Sequence, residues 1–183
     1  MNNGIIVLDF GSQYNQLIGR RIREMEVYSE IVPYHTDIEE IRAKKPKGII
    51  LSGGPSSVNS DKAHLIDKEI FALGVPVLGI CYGMQLTAHL MGGKVSRGAK
   101  AEYGKSELKL TQQHPLFEGV PQNSCVWMSH FDEVEIVPDG FEVVGMSGVK
   151  AALVNDDRKI YTVQFHPEVS HTEYGGKMLE NFV

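Results

Sequence analysis

The chain has 183 residues, 42% hydrophobic and 22% charged, an ordinary globular composition long enough for one well-buried core and, by default, one domain over 1–183. A formal net charge of −5 and a pI near 5.8 argue against nucleic acid or an anionic membrane as partner, since both favour clustered Lys and Arg. The opening MNNGIIVLDFG has no basic leader and too short an apolar run for a signal peptide or a membrane span, so a cytoplasmic protein with reduced thiols at Cys81 and Cys125 is expected.

In chain order, GIIVLDF (4–10), SEIVPY (29–34), GIILSG (48–53) and VPVLGI (75–80) are short apolar, β-branched runs bounded by Gly, Pro or polar residues, and are predicted as buried strands. Tyr14, Leu17, Ile18, Ile22 and Met25 recur at helical spacing, as do Leu65, Ile66, Ile70 and Leu73, while Thr36 and Glu39 form a capping box opening a shorter helix. This alternation predicts an α/β fold: a mostly parallel open sheet flanked by helices, with its ligand site beyond the carboxyl ends of the strands, where Asp9, Gly53 and Cys81 fall. From about residue 94 the pieces KVSRG, SELKLT, CVWMSH, FEVVGM, AALVND and KIYTVQF are strand-like and joined by turn signals, so added antiparallel strands are expected in the C-terminal half. EYGGKMLENFV is a closing helix without a cap or breaker, as if the chain had been cut there.

Three features carry chemistry. Gly79-Ile80-Cys81-Tyr82-Gly83 is a cysteine version of the G-x-S-x-G nucleophile elbow, placed between a strand and a helix as that motif requires. The positive end of the helix macrodipole favours a thiolate there, and the N–H of Tyr82 is available to an oxyanion; the plainer alternative is a small buried core cysteine. In VQFHPEV, His166 is a candidate general base and Glu168, two residues on along an extended segment, can share its face and orient the imidazole. His166-Pro167-Glu168 also fits half of a zinc deaminase signature, but no P-C-x-x-C follows, so no metal is expected. LSGGPSSV at 51–58 is poor as a phosphate cradle, lacking Gly-Lys-Ser/Thr and carrying Pro55, yet the amide of Gly54 suffices as the second donor of an oxyanion hole. Asp9-Phe10-Gly11 matches a kinase magnesium motif without its companions and is set aside. His35, His64, His89 and His114 stand alone and are taken as structural or solvated, and Cys125 as a buried small hydrophobe.

Taken together, VLGICYGMQL, LSGGPSSV and VQFHPEV resemble the class I (triad) glutamine amidotransferases across the whole chain. LDFGSQYNQLIGRRIRE, WMSHFDEV and HPEVSHTEYG narrow the resemblance to the glutaminase domains of GMP synthetases. The resemblance implies a flavodoxin-like fold and a reaction in which Cys81 attacks the side-chain amide of glutamine, His166 shuttles protons and Glu168 orients His166, through a γ-glutamyl thioester. It places Gly54 and Tyr82 in the oxyanion hole and Gln85 against the substrate's α-groups. Helical spacing from Cys81 puts Gln85 on the same face as the elbow. Ser129, His130, Phe131 and Asp132 match a segment whose backbone meets bound glutamine; Phe131, where many members carry glycine, either walls the pocket or packs outward.

The same resemblance implies that ammonia serves amination of XMP to GMP on an ATP-pyrophosphatase (synthetase) domain, fused or separate. No S-G-G-x-D-S loop occurs here, so no cofactor is expected on this chain, and ATP and Mg are expected only on that partner. The rivals are the glutaminase of another amidotransferase, a γ-glutamyl hydrolase, or a non-catalytic regulatory module on the same fold.

Overall fold

The computed structural model describes residues 4–183. Nine strands form one sheet in the order β2-β1-β3-β4-β9-β8-β7-β5-β6. The first four are β1 (Ile5–Asp9), β2 (Ser29–Pro33), β3 (Gly48–Leu51) and β4 (Val77–Ile80). Then follow β5 (Lys94–Leu110), β6 (Asn123–Ile136), β7 (Glu142–Met146), β8 (Lys150–Asn155) and β9 (Ile160–Val163). β1 to β4 and β9 pair in parallel, while the partners of β5 to β8 run antiparallel. The chain leaves β1 first to one side and then to the other, so the β1/β3 boundary is the topological switch point of a flavodoxin-like sheet, where ligands collect.

Alternation within the parallel strands divides the core. Ile5, Val7, Ile50, Leu78 and Ile80 face one layer with Ile18 and Ile22 of α1 (Asn15–Glu24) and Met178 and Leu179 of α4 (Gly175–Phe182). Ile6, Leu8, Ile49, Leu51 and Val77 face the other, with Ile41 of α2 (Ile38–Ala43) and Tyr82, Met84 and Leu86 of α3 (Tyr82–Leu90). Both faces are therefore covered, as the unbroken apolar runs require, and each buried Ile or Leu contributes about 1.5–3 kcal/mol.

Four local expectations are corrected. The cap of α2 is Asp37, whose carboxylate accepts from Glu39 N–H at 2.8 Å, whereas the Thr36 hydroxyl turns back to the Pro33 carbonyl at 2.6 Å. The helix read over Leu65–Leu73 is only a 3-10 turn, Lys68–Ala72, capped by Asp67. One turn suffices to bury Ile70 and Phe71, and Leu65 stays exposed. KVSRG and SELKLT belong to one strand, β5, because the residues between them also pair with β6; a register shift between Arg97 and Glu102 absorbs the irregularity. Cys125 is half-buried rather than fully buried.

Candidate active site

The elbow depends on how closely α3 is pressed against the sheet. A Cβ at Gly83 would lie 2.3 Å from the Leu51 carbonyl oxygen, and one at Gly79 would lie 2.6 Å from that of Gly83. Only glycine permits both approaches, and between them the chain turns so sharply that Cys81, the residue before α3, takes φ 53° and ψ −106°. For a residue with a Cβ this is strained backbone of the kind found at functional sites. Its N–H is held by the Val163 carbonyl at 2.8 Å, and its own carbonyl accepts from Met84 and Gln85 at 3.0 and 3.2 Å. The N–H of Tyr82, the first residue of α3, thus lies outside the helix ladder at its positive end.

Cys81 is only 4% exposed. Its thiol donates to the Ser129 carbonyl of β6 at 3.4 Å, and the Gln164 amide donates to its sulfur at 3.7 Å. His166 and Glu168, 4% and 1% exposed, meet through Nδ1 and Oε1 at 2.6 Å. They do so in turn structure after β9, rather than on the extended segment that was expected. The turn is held by Thr172, whose hydroxyl donates to the His166 carbonyl at 2.6 Å and accepts from Trp127 N–H at 3.0 Å. His166 N–H bonds the Trp127 carbonyl at 3.0 Å, the Tyr14 ring stands edge-on to the imidazole at 5.3 Å, and Arg21 donates to the Glu168 carbonyl at 3.2 Å. Burial alone would push the imidazolium down, but hydrogen bonding to the Cys81 thiol and the Glu168 carboxylate outweighs it and holds His166 well above the usual histidine range.

These groups open on a cavity of about 760 Å³ at the carboxyl ends of the parallel strands, lined among others by Tyr14, Gly54, Cys81, Gln85, Ser129 and His166. Gly54 backs onto the Phe10 carbonyl, which a Cβ would approach to 2.3 Å. Gln85 is buried and donates to the Asp132 carbonyl at 2.9 Å and to Gln164 Oε1 at 3.3 Å. His130 is buried and bonds the Asp132 carbonyl at 2.8 Å and Glu102 at 3.1 Å. The Asp132 carboxylate accepts from Ser57 at 2.6 Å, tying the glycine loop to β6. Phe131 lines the cavity while 45% exposed at its rim, edge-on to Tyr103 at 5.8 Å, with the Arg97 guanidinium 5.0 Å over its ring. The fold thus brings every candidate to one place. It also adds Gln164, Thr172 and Tyr14, whose roles arise from contacts between distant segments.

A strained thiol at a helix N-terminus, a buried imidazole held by a carboxylate and two backbone amides beside the same cavity can perform nucleophilic acyl transfer through a thioester. Residues 6–183 match the family Glutamine amidotransferase class-I. Curated relatives are the GMP synthase (glutamine-hydrolyzing) of Aquifex aeolicus, 54% identical over 98% of this chain and 36% of that protein, and that of Staphylococcus epidermidis, 58% identical over 98% and 35%. A solved structure from Thermoplasma acidophilum, described as one of the subunits of a GMP synthase, superposes with a TM-score of 0.88 at 33% identity, covering 97% of this chain and 90% of that one. A glutamine amidotransferase of Thermotoga maritima shares the fold, with a TM-score of 0.74 at 22% identity over 92% and 78%. The chain spans about a third of the length of the curated relatives it matches (36% and 35%). With this match over nearly its whole length, the chain belongs to the class I glutamine amidotransferase family.

Proposed function

We propose that this chain hydrolyses glutamine to glutamate and ammonia through Cys81, His166 and Glu168. The observation that carries the reading is the strained Cys81 elbow and His166 lining one cavity, with Glu168 buried behind the imidazole and bonded to it. His166 takes the thiol proton as sulfur attacks the side-chain amide carbon, and the N–H groups of Gly54 and Tyr82 receive the oxyanion. The same proton passes to the leaving nitrogen, ammonia departs, and a γ-glutamyl thioester remains. His166 then deprotonates water, which attacks the thioester; glutamate leaves and the thiol is restored. Gln85 and the backbone of 129–132 hold the amino acid end of the substrate. No bound cofactor enters this scheme.

The ammonia serves a synthetase domain, fused or separate, that uses ATP and Mg to aminate XMP to GMP. The names of the curated relatives, and their length beyond the matched region, support this assignment. The partner docks over the cavity mouth, which is lined by the glycine loop carrying Gly54 and by Phe131 of β6. Glutamine hydrolysis by the isolated chain is then slow and accelerates when a nucleotide-loaded synthetase domain is added. The test is glutamate release by the chain alone, with empty partner, and with partner plus XMP and ATP. Cys81→Ala abolishes release, and His166→Ala lowers it by about two to four orders of magnitude. A chain that already runs alone at the coupled rate overturns the partner gating, and turnover by Cys81→Ala overturns the nucleophile.

A further inference from the structure

Gln164 lies just past β9, is fully buried, and is anchored by its backbone N–H to the Ala151 carbonyl at 2.8 Å. A buried primary amide far from solvent needs partners for both ends. Its oxygen accepts from Gln85 Nε2 at 3.3 Å, and its nitrogen points to the Cys81 sulfur at 3.7 Å. Because Gln85 Nε2 is a donor, also bonded to the Asp132 carbonyl at 2.9 Å, only the Gln164 oxygen can face Gln85, and its NH₂ end is left for the sulfur. The sulfur therefore sits between two opposed groups. The Ser129 carbonyl, at 3.4 Å, can only accept and so holds the thiol with its proton. The Gln164 amide can only donate there and so supports the thiolate.

We propose that Gln164 is a positioning residue for the nucleophile, oriented by Gln85 so that one side chain both meets the substrate and aims a donor at the Cys81 sulfur. This deepens the proposed glutaminase reading and rests on it. When the proton leaves for His166, the contact to Ser129 loses its hydrogen and the contact to Gln164 gains a charged acceptor. Hydrogen bonds to charged groups are roughly twice as strong as neutral ones, so the amide contributes more after deprotonation than before it. A residue that only filled space could not make this distinction.

The test uses the full chain and two probes. Iodoacetamide, which carries no amino acid end, forms an S–C bond at Cys81 and releases iodide; its rate reads the sulfur alone. Steady-state glutamine hydrolysis reads the whole site. Gln164→Met keeps volume and removes the donor; it should slow alkylation of Cys81 about tenfold and kcat by the same factor, with KM within about twofold. Gln164→Glu, which puts a carboxylate beside the sulfur, should slow both further. Gln85→Met should raise KM and also slow alkylation, through the freed Gln164 amide. Melting temperatures establish that each variant is folded; if Gln164→Met is not, Gln164→Glu carries the same test with the same sign. Wild-type alkylation rates in a folded Gln164 variant overturn the proposal, as does a Gln85→Met variant that alkylates normally. A wild-type chain that alkylates readily but releases no glutamate, with or without partner, defeats the glutaminase reading instead and leaves the alkylation comparison standing.

Discussion

Thr172 donates its hydroxyl hydrogen to the His166 carbonyl at 2.6 Å while accepting from Trp127 N–H at 3.0 Å. One side chain thereby fixes the turn that carries the base to β6, the strand whose Ser129 carbonyl touches the nucleophile.

Thr172→Val keeps the shape and removes both bonds, leaving a buried N–H and a carbonyl with one partner fewer. The expected cost is about 1–3 kcal/mol of stability, with a fall in kcat larger than any change in KM because the imidazole is displaced. Thr172→Ser should restore both. Denaturant unfolding together with glutamate release checks this.

Gly53 separates base from nucleophile. A Cβ built there would lie 2.9 Å from His166 Cε1 and 3.4 Å from the Cys81 Cβ. Gly53→Ala should therefore push the imidazole away from the sulfur. A displacement of about 1 Å can cost on the order of a hundredfold in rate. Glutamine hydrolysis should fall by that order while Cys81 still alkylates with iodoacetamide.

The raised His166 makes a signed prediction. Its causes, burial opposing hydrogen bonds to Cys81 and Glu168, imply that Glu168→Gln moves the imidazole titration down, readable by NMR of the ring proton. A group whose value is raised on folding contributes stability that is complete below the unfolded value, about 6.5, and is lost as pH rises through the folded value. Wild-type stability should thus decline over that alkaline window more steeply than that of His166→Gln.

The two thiols differ in surroundings, Cys81 in the cavity and Cys125 half-buried on β6 with its backbone N–H bound to Glu173 at 2.6 Å. A glutamine-analogue diazo-ketone should label Cys81 and leave Cys125 free, by peptide mass mapping. Equal labelling would mean that the cavity does not recognise the amino acid.

The inner parallel strands β1, β3 and β4 are legible because they are buried on both faces and almost uniformly apolar, whereas the edge strand β2 carries Ser29, Glu30 and an exposed Pro33. The Cys81 elbow and the His166–Glu168 pair are legible because their members are neighbours in the chain, Gly54 because its glycine turn directly follows a strand, and Gln85 through the resemblance. What escaped reading was decided at a distance. Leu65, Ile66, Ile70 and Leu73 have helical spacing, but Leu65 stays exposed and Ile66 and Leu73 only pack half-buried against the core that Ile70 and Phe71 fill, so one turn replaces a helix. Asp37 displaced Thr36 as cap because the Thr36 hydroxyl was already taken by the Pro33 carbonyl. Thr172 and Gln164 look like ordinary polar residues until folding brings β6 and α3 to them.

The φ of 53° at Cys81 also limits what evolution can put in its place. Threonine, β-branched and intolerant of this backbone, is barred as a replacement nucleophile, although its hydroxyl is chemically adequate elsewhere; serine fits. Glycine would relax the bend and recover some of the roughly 1–3 kcal/mol such a conformation costs, so one codon step toward glycine trades catalysis for robustness. A duplicated copy freed from selection for turnover would drift downhill there, and decayed paralogues should be recognisable by a third glycine between the first two.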